Sequence, residues 1–159
     1  MAQLQITELQ REELDILLVL LKELALYEKM QDEVECSKEK LEKSLFEQEF
    51  AKAFLLREDE KIIGYMIYFY TFSSFCGSGG MYLEDIYIQE AYRKKGYGRA
   101  VFQFLAKLCK EKNLQRLEWV CLNENILGIN FYESLNALHL KQWRIYRLSG
   151  ENLTRLCEI

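Results

Sequence analysis

The nineteen residues YLEDIYIQEAYRKKGYGRA, Tyr82 to Ala100, hold a pair of carboxylates, three consecutive cations and two glycines. Their order is that of a strand, a short basic turn and a helix. The first N–H groups of a helix lack intrahelical acceptors and lie at the positive end of its dipole, which makes such a turn a seat for an anion. Gly96 and Gly98 allow the main chain to approach a phosphate with no Cβ in the way, and Arg93, Lys94, Lys95 and Arg99 add positive charge around it. A pyrophosphate-bearing ligand suits this arrangement. A P-loop is excluded, because no G-x-x-x-x-G-K-[ST] occurs. A dinucleotide fingerprint is a poor match, since GYGRAV lacks its third small residue and follows an antiparallel hairpin.

Two further groups of residues carry chemistry. Strict alternation along the strand puts Tyr82, Glu84, Ile86 and Ile88 on one side, so a single carboxylate is expected on an apolar face, which is costly unless it has a partner or a task. In NENILGINFY, Asn125, Gly128 and Tyr132 fall three and four residues apart and form one helical stripe, with the glycine as a notch in which a slender ligand could lie. Taken singly, Asn125 also reads as a helix cap and Tyr132 as a half-buried aromatic. Metal chemistry is not expected: five cysteines are scattered without a C-x-x-C pair, and His139 stands alone. The cysteines read as reduced thiols, mostly in the core, with Cys109 on a helix and Cys121 in a strand.

The elements that must position these residues follow from periodicity. A chain of 159 residues is the size of one domain, so residues 1–159 are expected to form a single one. LQITEL alternates as a strand, and Leu14, Leu17, Leu18, Leu21, Leu24 and Ala25 recur at helical spacing. Ser37 is placed to cap a second helix reaching about Phe46. FAKAFLLRE and KIIGYMIYFYTF read as a hairpin joined through Glu58–Lys61, the glycine-rich SSFCGSGG loops into MYLEDIYI, and a helix begins at about Gly96. A strand RLEWVCL, a helix over 126–134 and a last strand QWRIYRL complete the reading.

No apolar run is long enough to span a membrane and no leader pattern opens the sequence, so a cytoplasmic protein is expected. The net charge of −4 is unevenly spread, with sixteen acids against eight bases in residues 1–60 and nine against thirteen in residues 61–159. That division does not suit a nucleic-acid binder. It suits a protein holding an anionic ligand beside a cationic one.

RKKGYG matches R/Q-x-x-G-x-G/A and resembles the pyrophosphate loop of the GNAT superfamily of acyl-CoA-dependent N-acetyltransferases. NENILGINFY is similar to the same family's segment N-x-x-A-x-x-F-Y. LKELALYEKM, YLEDIYI, NFY and WRIYRL narrow the resemblance to the spermidine/spermine (diamine) and thialysine N-acetyltransferase branch, over nearly the whole chain. The resemblance implies an α+β fold in which a mixed, mostly antiparallel sheet is flanked by helices on both faces. It implies acetyl-CoA as co-substrate, without a metal, held by Ile86, Tyr87 and Ile88, the Arg93–Arg99 turn including Tyr97, and Asn125, Gly128 and Tyr132. It also implies a homodimer, and an amine pocket drawn from Tyr27, Glu28, Glu84 and Asp85. Glu28 reads equally as part of a solvated face, and Asp85 as an ion-pair partner or bulge residue. The chain departs from the branch in TFSSFCGSGG, which offers Phe72 and Phe75 as an aromatic wall, and in lacking the proline that often follows the capping Asn.

The implied reaction is acetylation of a small cationic amine: a polyamine, diamine or lysine-like amino acid. An alkylamine of pKa about 10 is protonated at neutral pH and must lose a proton before it attacks. Glu84 acting through a water, or desolvation of the amine, would achieve that. A main-chain N–H near Ile86–Ile88 would hold the oxyanion, and Tyr132 would protonate the leaving thiolate. Other amines, such as a protein N-terminus or an aminoglycoside, are the alternative acceptors, and a non-catalytic acetyl-CoA-binding regulator is the alternative class.

Overall fold

In the computed structural model, which describes residues 3–158, the alternating segments form β1 (Leu4–Glu8), β2 (Lys52–Glu58), β3 (Lys61–Ser73) and β4 (Ser78–Ile88), each antiparallel to the next. β5 (Leu117–Glu118) joins β4 in parallel and completes a mixed sheet in the order β1-β2-β3-β4-β5. The hairpin after Glu58 turns through Asp59, whose φ of 53° is the left-handed conformation that Asp tolerates better than most residues.

Helices cover both faces, as expected. In α1 (Leu14–Tyr27), Leu14, Leu17 and Leu20 are fully buried against Leu55, Tyr65, Ile67 and Tyr87. Burial of this kind contributes about 1.5–3 kcal/mol per side chain, enough to make α1 a firm support for the residues at its C-terminal end. α3 (Tyr97–Glu111) takes the other face, burying Val101 and Leu105 and setting Phe104 edge-on to Phe54 at 5.6 Å. The short α2 (Lys38–Glu42) is capped as its sequence predicts, with Ser37 Oγ accepting from Lys40 N–H at 3.3 Å. Its continuation toward Phe46 is one wider turn, Lys43–Glu47, closed by Gln48 N–H to Lys43 C=O at 2.9 Å.

One irregularity changes which side chains share a face. Ile67 lies opposite Asp85 and Tyr68 opposite Leu83, so Glu84 is the additional residue of a β-bulge. Strict alternation therefore fails there. Tyr82 shares the α1-facing side with Asp85 and Tyr87, while Ile86 and Ile88 turn to the α3 side. Glu84 is exposed, so the carboxylate on the apolar face is that of Asp85.

Contacts divide the chain into two compact units, Met1–Val120 and Cys121–Ile159. The second contains α4 (Ile126–Ser134) and α5 (Gly150–Cys157). The expected strand RLEWVCL is reduced to Leu117–Glu118, which leaves Cys121 outside any strand. The expected last strand is not formed: residues 142–148 join no ladder, and Trp143, Ile145 and Tyr146 are exposed. Helix α5 was not foreseen, although its signals are present in Ser149 at the N-cap, Glu151 in the first turn and an Arg155–Glu151 pair at 2.9 Å. None of the five cysteines is in a disulfide, and only Cys109 is buried, which corrects the expectation that most lie in the core.

Candidate active site

The basic turn forms from the residues expected, with their side chains differently employed. Gly96 caps α3 in the left-handed region at φ 84°, a conformation that only glycine adopts without strain, and no atom lies within 4 Å of where its Cβ would be. No side chain caps the first turn of α3, so its N–H groups lack the usual substitute acceptor. Lys94 is exposed, with left-handed backbone at φ 62°. Lys95 is paired with Glu58 at 2.8 Å, and the same carboxylate accepts the Tyr97 hydroxyl. Lys95 first, then Tyr97, hold Glu58 below the usual carboxylate range, and the bond from Tyr97 pushes that phenol up to about 12. Glu58 thus ties the turn to the β2–β3 hairpin. The sequence offered no signal for it, since the partners lie 37 and 39 residues away.

Arg93 is turned back toward the sheet. Its Nε donates to Ile88 C=O at 2.8 Å, and its guanidinium lies 4.5 Å from the centre of the Tyr27 ring. The turn therefore presents backbone N–H groups and a positive field, with Arg93 and Lys95 holding its shape.

The edge of β4 next to this turn is open over several residues. Its ladder to β5 stops at Tyr82. Gln89 N–H donates to Ile63 C=O on β3, and main-chain groups alternate along a strand, so the N–H groups of Ile86 and Ile88 point to the opposite edge, where no strand among the described residues pairs with them. Those donors suit a developing oxyanion.

Asp85, on the α1-facing side, feels the charges of Glu84 and Glu28. Burial raises the Asp85 pKa to about 6; a hydrogen bond from Tyr65 at 3.1 Å opposes the rise, and the charges of Glu84 and Glu28 add to it. Glu28, at the C-terminus of α1, is likewise raised by burial. Among the described residues, neither Glu28, Glu84 nor Asp85 forms a salt bridge. Tyr65 is the residue that sequence reasoning passed over. Periodicity places it on the α1-facing side, but only the bulge puts Asp85 there beside it.

In the second unit, Asn125 caps α4, its Oδ1 accepting from Gly128 N–H at 3.0 Å. A Cβ on Gly128 would lie 2.6 Å from Asn125 Nδ2, so the glycine makes room for the cap, and the notch expected between Asn125 and Tyr132 is filled by the Asn125 amide. Tyr132 lies one helical turn on, its ring 5.5 Å from that of Phe131. Among the described residues no cluster of metal-ligating side chains occurs, and no helix is long and apolar enough to cross a membrane.

Comparison with known proteins agrees with this geometry. Thialysine N-epsilon-acetyltransferase of Bos taurus is 29% identical over 98% of both chains. L-ornithine N5-acetyltransferase of Arabidopsis thaliana is 37% identical over 60% of this chain, which spans 42% of that relative's length. The solved structure of an integron cassette protein from the mobile metagenome of V. cholerae superposes with a TM-score of 0.81 at 25% identity, covering 98% of each chain. Residues 17–137 match the Acetyltransferase (GNAT) family. An open edge on β4 followed by an uncapped, glycine-led helix is thus the frame of an acetyltransferase, and the chain belongs to the GNAT family.

Proposed function

We propose that the protein transfers the acetyl group of acetyl-CoA to a primary amine of a small cationic acceptor, a polyamine, diamine or lysine-like amino acid, within a ternary complex. The observation that carries this reading is the group of carboxylates Glu28, Glu84 and Asp85, which gather negative charge with no cation paired to any of them. The charges of Glu84 and Glu28 raise the pKa of Asp85, and an ammonium placed beside it opposes that rise. The names of the thialysine and ornithine acetyltransferases point to the same class of acceptor.

Acetyl-CoA supplies an activated acetyl thioester. The first turn of α3, from Gly96 through Arg99, is suited to its pyrophosphate by backbone N–H groups, with Lys94 adding charge. Glu84, exposed on the bulge, takes the proton of the acceptor through a water, and Glu28 and Asp85 hold its ammonium groups, with Tyr27 covering the aliphatic chain. Ile86 and Ile88 N–H stabilise the oxyanion, and Tyr132 returns a proton to the thiolate. Residues 1–159 act as one catalytic domain in this reading, supported by a family match that runs from the first unit into the second.

A panel of amines assayed with acetyl-CoA for release of free thiol tests the proposal. Turnover is expected with ornithine, thialysine and short diamines. Turnover confined to neutral or anionic acceptors contradicts it.

A further inference from the structure

We propose that Tyr65 is a positioning residue for the acceptor, its phenol donating to Asp85 Oδ2 and thereby fixing that carboxylate on the α1-facing side of the sheet, ionised and ready for an ammonium. This deepens the reading above and rests on it.

Geometry supports the role. Tyr65 is 0% exposed and packed among Leu17, Leu20, Leu55 and Ile67, so its ring cannot swing away from the one carboxylate within reach. Its hydroxyl lies 3.1 Å from Asp85 Oδ2. Tyr65 stands opposite Tyr87 and Ile67 opposite Asp85 in the β3–β4 ladder, so phenol and carboxylate occupy adjacent rungs on one face. That adjacency depends on the bulge at Glu84, which sets Asp85 on the Tyr65 side. Burial drives the Tyr65 pKa upward, so the phenol remains an O–H donor throughout the working range.

The titratable groups around the pair are Glu84 on the bulge, Glu28 at the end of α1, Cys36 in the segment after it and Tyr87, whose ring lies 6.3 Å from that of Tyr65. None is a cation. Without the phenol, Asp85 would face burial and two like charges with no donor to its carboxylate, and its pKa would rise further. Tyr65 therefore tunes the fraction of protein able to bind a cationic acceptor, with no part in the acetyl transfer itself. Phenylalanine at this position would preserve the packing and remove only the donor.

The test compares wild type, Tyr65→Phe, Asp85→Asn and the double variant. The expected result for Tyr65→Phe is unchanged acetyl-CoA affinity by calorimetry, KM for the best cationic amine raised about fivefold at pH 6 and about twofold at pH 7, and kcat within about twofold of wild type. The acid limb of kcat/KM should move to higher pH by roughly one unit, because a lost donor raises a carboxylate's pKa. In the double variant the phenylalanine should add nothing to the effect of Asp85→Asn, since the phenol acts only through that carboxylate. An unmoved acid limb, or effects that add independently, overturns the proposal. Carboxyl carbon NMR titration of Asp85 decides the same point without turnover: its midpoint should rise in Tyr65→Phe, and an unmoved midpoint overturns the role of Tyr65. Should no amine be acetylated by the wild type, the functional reading falls, while the NMR titration still decides whether Tyr65 controls Asp85.

Discussion

Asp85 links stability to pH in a direction opposite to that of most carboxylates. Its pKa in the fold, about 6, lies above the ordinary value of 3.8, so folding favours the protonated form. The associated stability is fully present below about pH 4 and lost as pH rises through 6. At about 1.4 kcal/mol per pH unit of difference, ionised Asp85 costs up to about 3 kcal/mol at neutral pH. Asp85→Asn should therefore raise the urea midpoint at pH 7.5 and give little gain at pH 4, while impairing amine use. A second expectation concerns its neighbour. Glu84→Gln should lower kcat with cationic amines by about 10²-fold, the low end for general acid–base groups, and leave acetyl-CoA binding intact; equal turnover by the variant would remove Glu84 from the reaction. The sequence identified both carboxylates but exchanged their environments. Period-two alternation assigned burial to Glu84, and nothing local announced the bulge, which no glycine or proline marks.

At the scale of elements, the N-cap of α3 and the first turn of α4 each need a glycine, for different reasons. Gly96 is needed for its backbone: Gly96→Val places a β-branched side chain at φ 84°, costs about 1–2 kcal/mol in backbone strain and should raise the acetyl-CoA dissociation constant at least tenfold in a calorimetric titration. Gly128 is needed for space. Gly128→Ala should displace the Asn125 amide and cost about 1 kcal/mol, the usual loss of a helix cap, and combining it with Asn125→Ala should cost little more than either alone. On the same helix, Tyr132→Phe should slow turnover by about 10²-fold without changing cofactor affinity; a wild-type rate would make the phenol a packing group. Helix positions, strand spacing and the capping role of Ser37 were legible because each depends on residues a few positions apart. Glu58 was not, because its two partners lie 37 and 39 residues away along the chain.

For the molecule as a whole, the first four strands and the helices α1 and α3 follow from hydrophobic periodicity, and the family, with the sheet covered on both faces that it implies, from RKKGYG and NENILGINFY. The C-terminal part resisted the same approach. QWRIYRL has the composition and alternation of a strand, but strand formation depends on a pairing partner that composition cannot supply, and here the segment joins no ladder. SGENLTRLCE was overlooked because its helix is short and its apolar residues few, although its charges are arranged as a helix requires. The central claim, that the chain acetylates small cationic amines, is tested most directly by competition. Wild-type protein and acetyl-CoA are mixed with ornithine, thialysine, a short diamine, a polyamine, a neutral primary amine and an N-terminal peptide at equal concentrations, and the products are identified by mass spectrometry. The account predicts acetylated cationic acceptors first, with the neutral amine and the peptide left almost untouched. Preferential acetylation of the neutral amine or the peptide, or no acetylated product at all, would contradict it.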